Sequence, residues 1–131
     1  MTKLTTVALA AVFGLAVAAS AQDAGTLPPA STKTGVTYDT DIKPIFVAAC
    51  AKCHGDTKPR AGITLTTLEG VTKGGKDGPI FTAGDSTKGV LISSVAHTGD
   101  PNDYMPKGKD AMKLTDDQIG LIRAWIDQGA K

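Results

Sequence analysis

Residues Cys50-Ala51-Lys52-Cys53-His54 put two thiols and an imidazole within five positions. Such a set can hold zinc, cycle between dithiol and disulfide, or fasten a haem. The spacing suits the last. Thiols three residues apart lie about one helical turn apart on one face, so each can form a thioether with one haem vinyl. His54, the next residue, can then bring a ring nitrogen to the iron. A closed zinc site wants four ligands. The whole chain has two Cys and two His, and the second histidine, His97, lies far along the sequence. A thioredoxin-like pair opens a helix after a strand in a βαβ unit, whereas this one follows a helical apolar pattern. A plain Cys50–Cys53 disulfide leaves His54 without a role.

A haem held by a proximal histidine invites a second axial ligand. Met105 is the candidate: Pro106 biases it to extended backbone, and Gly108 keeps its loop supple. His97 is the alternative, and otherwise reads as a helix C-terminal histidine favoured by the macrodipole. Met112 leads into the last helix and suits the role less. A Met/His pair would raise the reduction potential relative to two histidines.

The elements that must position these residues are helical. Ile42, Ile45, Phe46 and Ala49 recur at helical spacing, with Asp39 or Thr40 as cap and Pro44 in the first turn, so that a helix runs directly into Cys50. Near the C-terminus, Thr115 and Gln118 form a capping-box pattern, and Leu114 and Ile119 stand where a hydrophobic staple would. Ile119, Ile122, Trp125 and Ile126 make one apolar face, which Gly129 can end. Thr67 to Lys73 reads as a short helix. Asp85 can cap another over Ser86 to Ala96, with Val90, Leu91 and Val95 inward. No run alternates as a strand. The class is all-α: three to five helices, with long glycine-containing loops that wrap something. Gly70 to Lys76 imitates a phosphate-binding loop, but Asp77 stands where Ser or Thr is needed and Pro79 cannot open the helix. It reads as a flexible glycine loop.

The 131 residues suffice for one domain. Residues 1–21 have the form of a secretory signal peptide: Lys3, an apolar run from Val7 to Ala18, and Ala19-Ser20-Ala21 before Gln22. Residues 22–36, rich in Pro, Thr, Ser and Gly, read as a flexible linker, and 37–131 as the domain. No other segment is long and apolar enough for stable membrane insertion. The net charge is +1, and without Lys3 it is near zero, which argues against nucleic-acid binding. Aromatic residues are only 5% of the chain, so a small core needs a staple such as a buried cofactor.

From Asp39 to Ala130 the chain resembles the planctomycete-type cytochrome c domain, a mono-haem, class I-like c-type cytochrome. The matching residues are Ile42-Lys43-Pro44-Ile45-Phe46, Cys50-x-x-Cys53-His54-Gly55, Ala61-Gly62-Ile63-Thr64-Leu65 and Lys73-Gly74-Gly75. Gly78-Pro79, Gly84-Asp85, Met105-Pro106 and Ala124-Trp125-Ile126-x-x-Gly129-Ala130 follow in order. The resemblance implies a small all-α fold around one covalent haem c, with His54 proximal and Met105 distal. Lys107-Gly108-Lys109 departs from the family, which often has a second proline or an acidic residue there. Such domains also sit within larger enzymes, whose roles do not carry over.

The expectation is a periplasmic one-electron carrier, not an enzyme. Lys52, Lys58, Arg60, Lys107, Lys109 and Lys113 cluster in sequence around the ligand segments, partly offset by Asp56, Asp103 and Asp110, and would steer an acidic redox partner. Two alternatives stay open. One is a haem peroxidase or gas-binding sensor with a weakly held sixth ligand. The other is an exported binding module without haem whose Cys50 and Cys53 form a disulfide.

Overall fold

A computed structural model of the chain describes residues 26–131. The expected signal peptide and residues 22–25 lie outside them. The described residues form five α-helices and no strand, with two isolated β-bridges in the loops. The helices are α1 (Lys43–Ala49), α2 (Ala51–His54), α3 (Leu68–Lys73), α4 (Leu91–Ala96) and α5 (Asp116–Asp127). A π-helical turn, Tyr38–Ile42, precedes α1, and short 3-10 turns occupy Arg60–Gly62 and Pro101–Asp103. None of the described helices is long and apolar enough to cross a membrane.

Helix α5 is the hub. Its start is fixed locally: Gln118 N–H donates to Thr115 Oγ1 at 3.2 Å, and Thr115 N–H donates to Gln118 Oε1 at 2.9 Å. Each satisfies an amide that the first turn leaves unpaired. Leu114 and Ile119 are both buried beside this box, and Ile119, Ile122, Trp125 and Ile126 are all buried along one face. That face packs on α4 and on the turn before α1. The aromatic rings converge there. Trp125 lies 5.9 Å from Tyr38 and 5.4 Å from Phe81, and Tyr38 lies 6.5 Å from Phe46, centroid to centroid and tilted. Such tilted contacts match the ring quadrupoles. Tyr38, Phe46, Phe81 and Trp125 thus make one core instead of being spread thin.

At the other end the expected caps differ. Neither Asp39 nor Thr40 caps the first helical segment. Asp41 accepts the Thr37 N–H at 3.0 Å and pairs with Lys33. Lys33 first, and then the Thr37 amide, hold the Asp41 carboxyl below the usual carboxylate range. Pro44 falls at the start of α1, as its missing N–H requires.

Two further expectations are corrected. The helix expected over residues 86–96 begins only at Leu91. Asp85 turns instead on its own neighbour, accepting from the Thr87 N–H at 3.0 Å. Ser86 is drawn away to α5: its N–H and hydroxyl donate to the two carboxylate oxygens of Asp127, at 2.7 and 3.1 Å. Val90 is half exposed, while Leu91 and Val95 face inward as expected. The glycine loop after α3 is a hydrogen-bonded turn, Gly75 N–H to Gly78 O at 3.0 Å and Gly78 N–H to Gly75 O at 3.2 Å.

The described part of the Pro/Thr-rich linker is not detached. It lies along α5: Ser31 N–H donates to Gly120 O at 2.9 Å, Gln128 donates to Lys33 O at 2.8 Å, and Val36 N–H donates to Gln128 Oε1 at 3.1 Å. Arg123 donates to the Pro28 carbonyl. The absence of side chain at Gly120 permits this approach, since a Cβ there would stand 2.6 Å from Pro29 O. Gly120→Ala therefore has an expected sign opposite to the usual one. In an ordinary helix interior it would stabilise by about 1 kcal/mol. Here the strap must lift, and urea unfolding is expected to show a loss of about 1–2 kcal/mol, with faster proteolysis in residues 26–36. A more stable variant with an unchanged digestion pattern would contradict the account.

Candidate haem-attachment site

Cys50 joins two helices. Its N–H closes α1 on Phe46 O at 2.8 Å, and its carbonyl accepts from Cys53 N–H at 3.1 Å and His54 N–H at 2.9 Å. Both thiols and the imidazole thus sit on one turn, as the spacing implied. Both cysteines are free and half-buried. Gly55 allows the chain to leave this turn closely, because a Cβ there would meet Ala51 O at 2.7 Å. The chain then passes Lys58 and Ala61, both with positive φ, which is uncommon for residues other than glycine. It returns at Ile63.

That return orients His54, which is buried. Its Nδ1 lies 3.1 Å from Ile63 O. A carbonyl can only accept, so Nδ1 carries the proton and the neutral ring keeps its lone pair on Nε2. This is the arrangement of a metal-binding histidine braced by a backbone carbonyl. Behind it, Leu65 N–H donates to His54 O at 2.8 Å, and the Tyr38 hydroxyl donates to Leu65 O at 2.9 Å. Thr66 ties to Asp56 at 2.5 Å. Segment 63–66 is thus the wall that fixes the histidine. Sequence patterning did not reveal Ile63 as its partner, because a backbone carbonyl has no residue signature.

Tyr38 gives this wall a pH dependence. Burial first, and then the nearby Asp39 and Asp56 charges, push its phenol up to about 12 from 10.0. The folded state keeps the proton that the unfolded chain releases near pH 10. The stability contributed is whole below that pH and is lost as pH rises toward 12, by about 2–3 kcal/mol in all. Urea midpoints between pH 9 and 12 should fall more steeply for the unsubstituted protein than for Tyr38→Phe. Equal slopes would remove Tyr38 as the cause.

Met105 and His97 stand together in a second cluster at the end of α4. Met105 N–H donates to Ser94 O at 3.0 Å, and His97 Nε2 lies 2.9 Å from Met105 O. The His97 ring stacks on Tyr104, centroids 4.6 Å apart and planes within 5°. His97 is not the last helical residue but the left-handed cap beyond it, at φ 55°. Met105 is half-buried and Met112 largely exposed.

The donor set fits a covalently attached haem. Cys50 and Cys53 would supply the thioethers and His54 Nε2 one axial bond. Among the described residues no three His, Cys, Asp or Glu side chains gather as a metal site. Burial and then the neighbouring Cys53 push the Cys50 thiol up to about 11.

A helical domain with a Cys-x-x-Cys-His turn and a braced histidine has the parts a c-type cytochrome would need. Residues 50–108 match the model of the planctomycete cytochrome C family, a likeness that suggests a c-type cytochrome with covalent haem c. The match runs from the first cysteine to Gly108 and so contains Met105, while Ile42–Phe46 and Ala124–Ala130 lie outside it. No curated protein matches the chain. Among solved structures, the Kuenenia stuttgartiensis hydrazine synthase is similar at 20% identity with a TM-score of 0.49. The similarity covers 72% of this chain but only 16% of that one.

Proposed function

We propose that the chain is an exported mono-haem c-type cytochrome that carries single electrons between redox partners in the periplasm. The observation that carries this reading is the His54 ring, fixed by Ile63 O with Nε2 left as the donor, on the same turn as two free thiols. Cys50 and Cys53 would hold one haem covalently, with His54 and Met105 as its axial ligands. When bound, the haem supplies a one-electron couple whose potential depends on ligation and burial. The chain's own part is to hold the sulfurs on a helical turn, keep His54 in one tautomer, and anchor the Met105 backbone at both polar groups. The engagement of His97 Nε2 by Met105 O supports Met105 over His97 as the distal ligand. Two protein ligands leave no open coordination site, which suits a carrier more than an enzyme.

Lys52, Lys58, Arg60, Lys107, Lys109 and Lys113 are all exposed. They would favour an acidic redox partner, with association slowing as salt is added. Export rests on the pattern of residues 1–21.

Visible spectra of the oxidised and reduced holoprotein test the reading. The expected result is a six-coordinate, thioether-attached haem with a sulfur-to-iron charge-transfer band at long wavelength, a band lost in Met105→Ala. Rapid carbon monoxide binding to the reduced protein would favour the peroxidase or sensor reading. Absence of a Soret band after maturation with haem-attachment machinery would favour the disulfide module.

A further inference from the structure

We propose that His97 is a positioning residue, whose Nε2–H holds the Met105 carbonyl and so sets the Met105 thioether in its ligating place. The inference rests on the reading of Met105 as distal ligand given above.

The two histidines of this chain are held in opposite tautomers. His54 donates from Nδ1 to Ile63 O and keeps Nε2 for a metal. His97 faces the Met105 carbonyl with Nε2 at 2.9 Å. Since that oxygen can only accept, Nε2 carries the proton and the less hindered nitrogen is spent on the backbone. The imidazole that sequence spacing offers as a competing ligand is thus occupied in bracing its rival.

The local backbone is arranged for this contact. His97 caps α4 in a left-handed conformation, with its N–H directed to the Ser93 and Ser94 carbonyls. Asn and Gly enter that region more readily than histidine does, so the cap alone does not call for an imidazole. The turn brings the ring flat against Tyr104, 4.6 Å away, which leaves it little freedom to swing. Ser94 O, three residues earlier, accepts the Met105 N–H at 3.0 Å. Residue 105 is therefore gripped at both backbone polar groups by the end of α4, and its sulfur is the remaining group able to act. A thioether is a neutral, soft donor. Partners beyond the ligand itself characteristically change metal affinity by about 10- to 100-fold when removed.

The test uses the holoprotein and two substitutions. His97→Phe keeps a ring to stack on Tyr104 and removes the donor, whereas His97→Gln keeps an N–H at similar reach. The readouts are the sulfur-to-iron charge-transfer band of the ferric protein and its affinity for added imidazole, which competes for the distal position. His97→Phe is expected to weaken the band and to tighten imidazole binding by about tenfold or more, with His97→Gln near the unsubstituted protein. An unchanged band and affinity in His97→Phe would overturn the proposal. So would equal loss in both variants, since the ring and not its donor would then matter. If His97→Phe does not accumulate, nitrogen-15 shifts of the reduced, unsubstituted protein decide: a His97 ring protonated at Nδ1 instead of Nε2 overturns the proposal. Absence of the band from the unsubstituted protein is a different result. It removes Met105 as ligand, and the positioning role with it.

Discussion

A Cys50→Ser, Cys53→Ser chain, matured beside haem-attachment machinery, is expected to show no haem stain after denaturing electrophoresis, while the unsubstituted chain stains. The expectation follows from what denaturation leaves intact. Axial bonds from His54 and Met105 would depend on the fold, and would release the haem when helices and loops come apart. Thioether bonds do not. The chain has two cysteines, both free and on one turn, so only Cys50 and Cys53 can form such bonds. The mass of the intact matured chain should exceed that of its polypeptide by one haem, and the double variant should show the bare polypeptide. Each single variant keeps one possible attachment and should retain some stain. Haem that stays with the denatured double variant would mean attachment through another side chain. A bare mass for the unsubstituted chain would remove the cytochrome function altogether.

Much of this arrangement is legible in the sequence wherever the forces are local. The capping box of α5 uses side chains three residues apart, and its buried face follows the helical period, so Thr115, Gln118 and the row from Ile119 to Ile126 stand as the pattern implies. Thr67 caps α3 for the same reason, its hydroxyl accepting the Gly70 N–H at 3.1 Å. The attachment turn is legible because its residues are nearly adjacent. What is not legible is decided by partners far away along the chain or by groups every residue carries. Ser86 leaves the expected helix because Asp127 of α5 takes its amide and hydroxyl. The strap over α5 is composed like a loose linker, yet Gln128 and Arg123 pin its backbone. His54 and His97 are both braced by carbonyls, of Ile63 and Met105. A carbonyl leaves no mark in a residue string, so the tautomers that separate the two histidines emerge only from the fold.

The same reasoning bears on what holds the domain together. With so few aromatic residues, the sequence invites the view that a bound haem serves as the missing interior. The rings of Tyr38, Phe46, Phe81 and Trp125 instead meet in one cluster of their own, and Trp125 is its centre, fully buried. Its indole N–H donates to Lys131 O at 3.0 Å, and that carbonyl also accepts the Tyr38 N–H at 2.9 Å. One side chain therefore joins α5, the turn before α1 and the last residues of the chain. Trp125→Ala is expected to cost about 3–5 kcal/mol in urea unfolding, the range for emptying a large aromatic site that cannot fully collapse. Trp125→Phe, which keeps a ring against Tyr38 and Phe81 but loses the indole donor and some volume, should cost about 1–2 kcal/mol. Folded domains are commonly stable by only about 5–15 kcal/mol, so the alanine variant stands near the edge of folding. Part of its loss should reach the attachment turn, because Tyr38 rests on Trp125 and holds the Leu65 carbonyl behind His54. A Trp125→Ala loss below about 1 kcal/mol would show that the aromatic cluster is not the support, and would return that role to the haem.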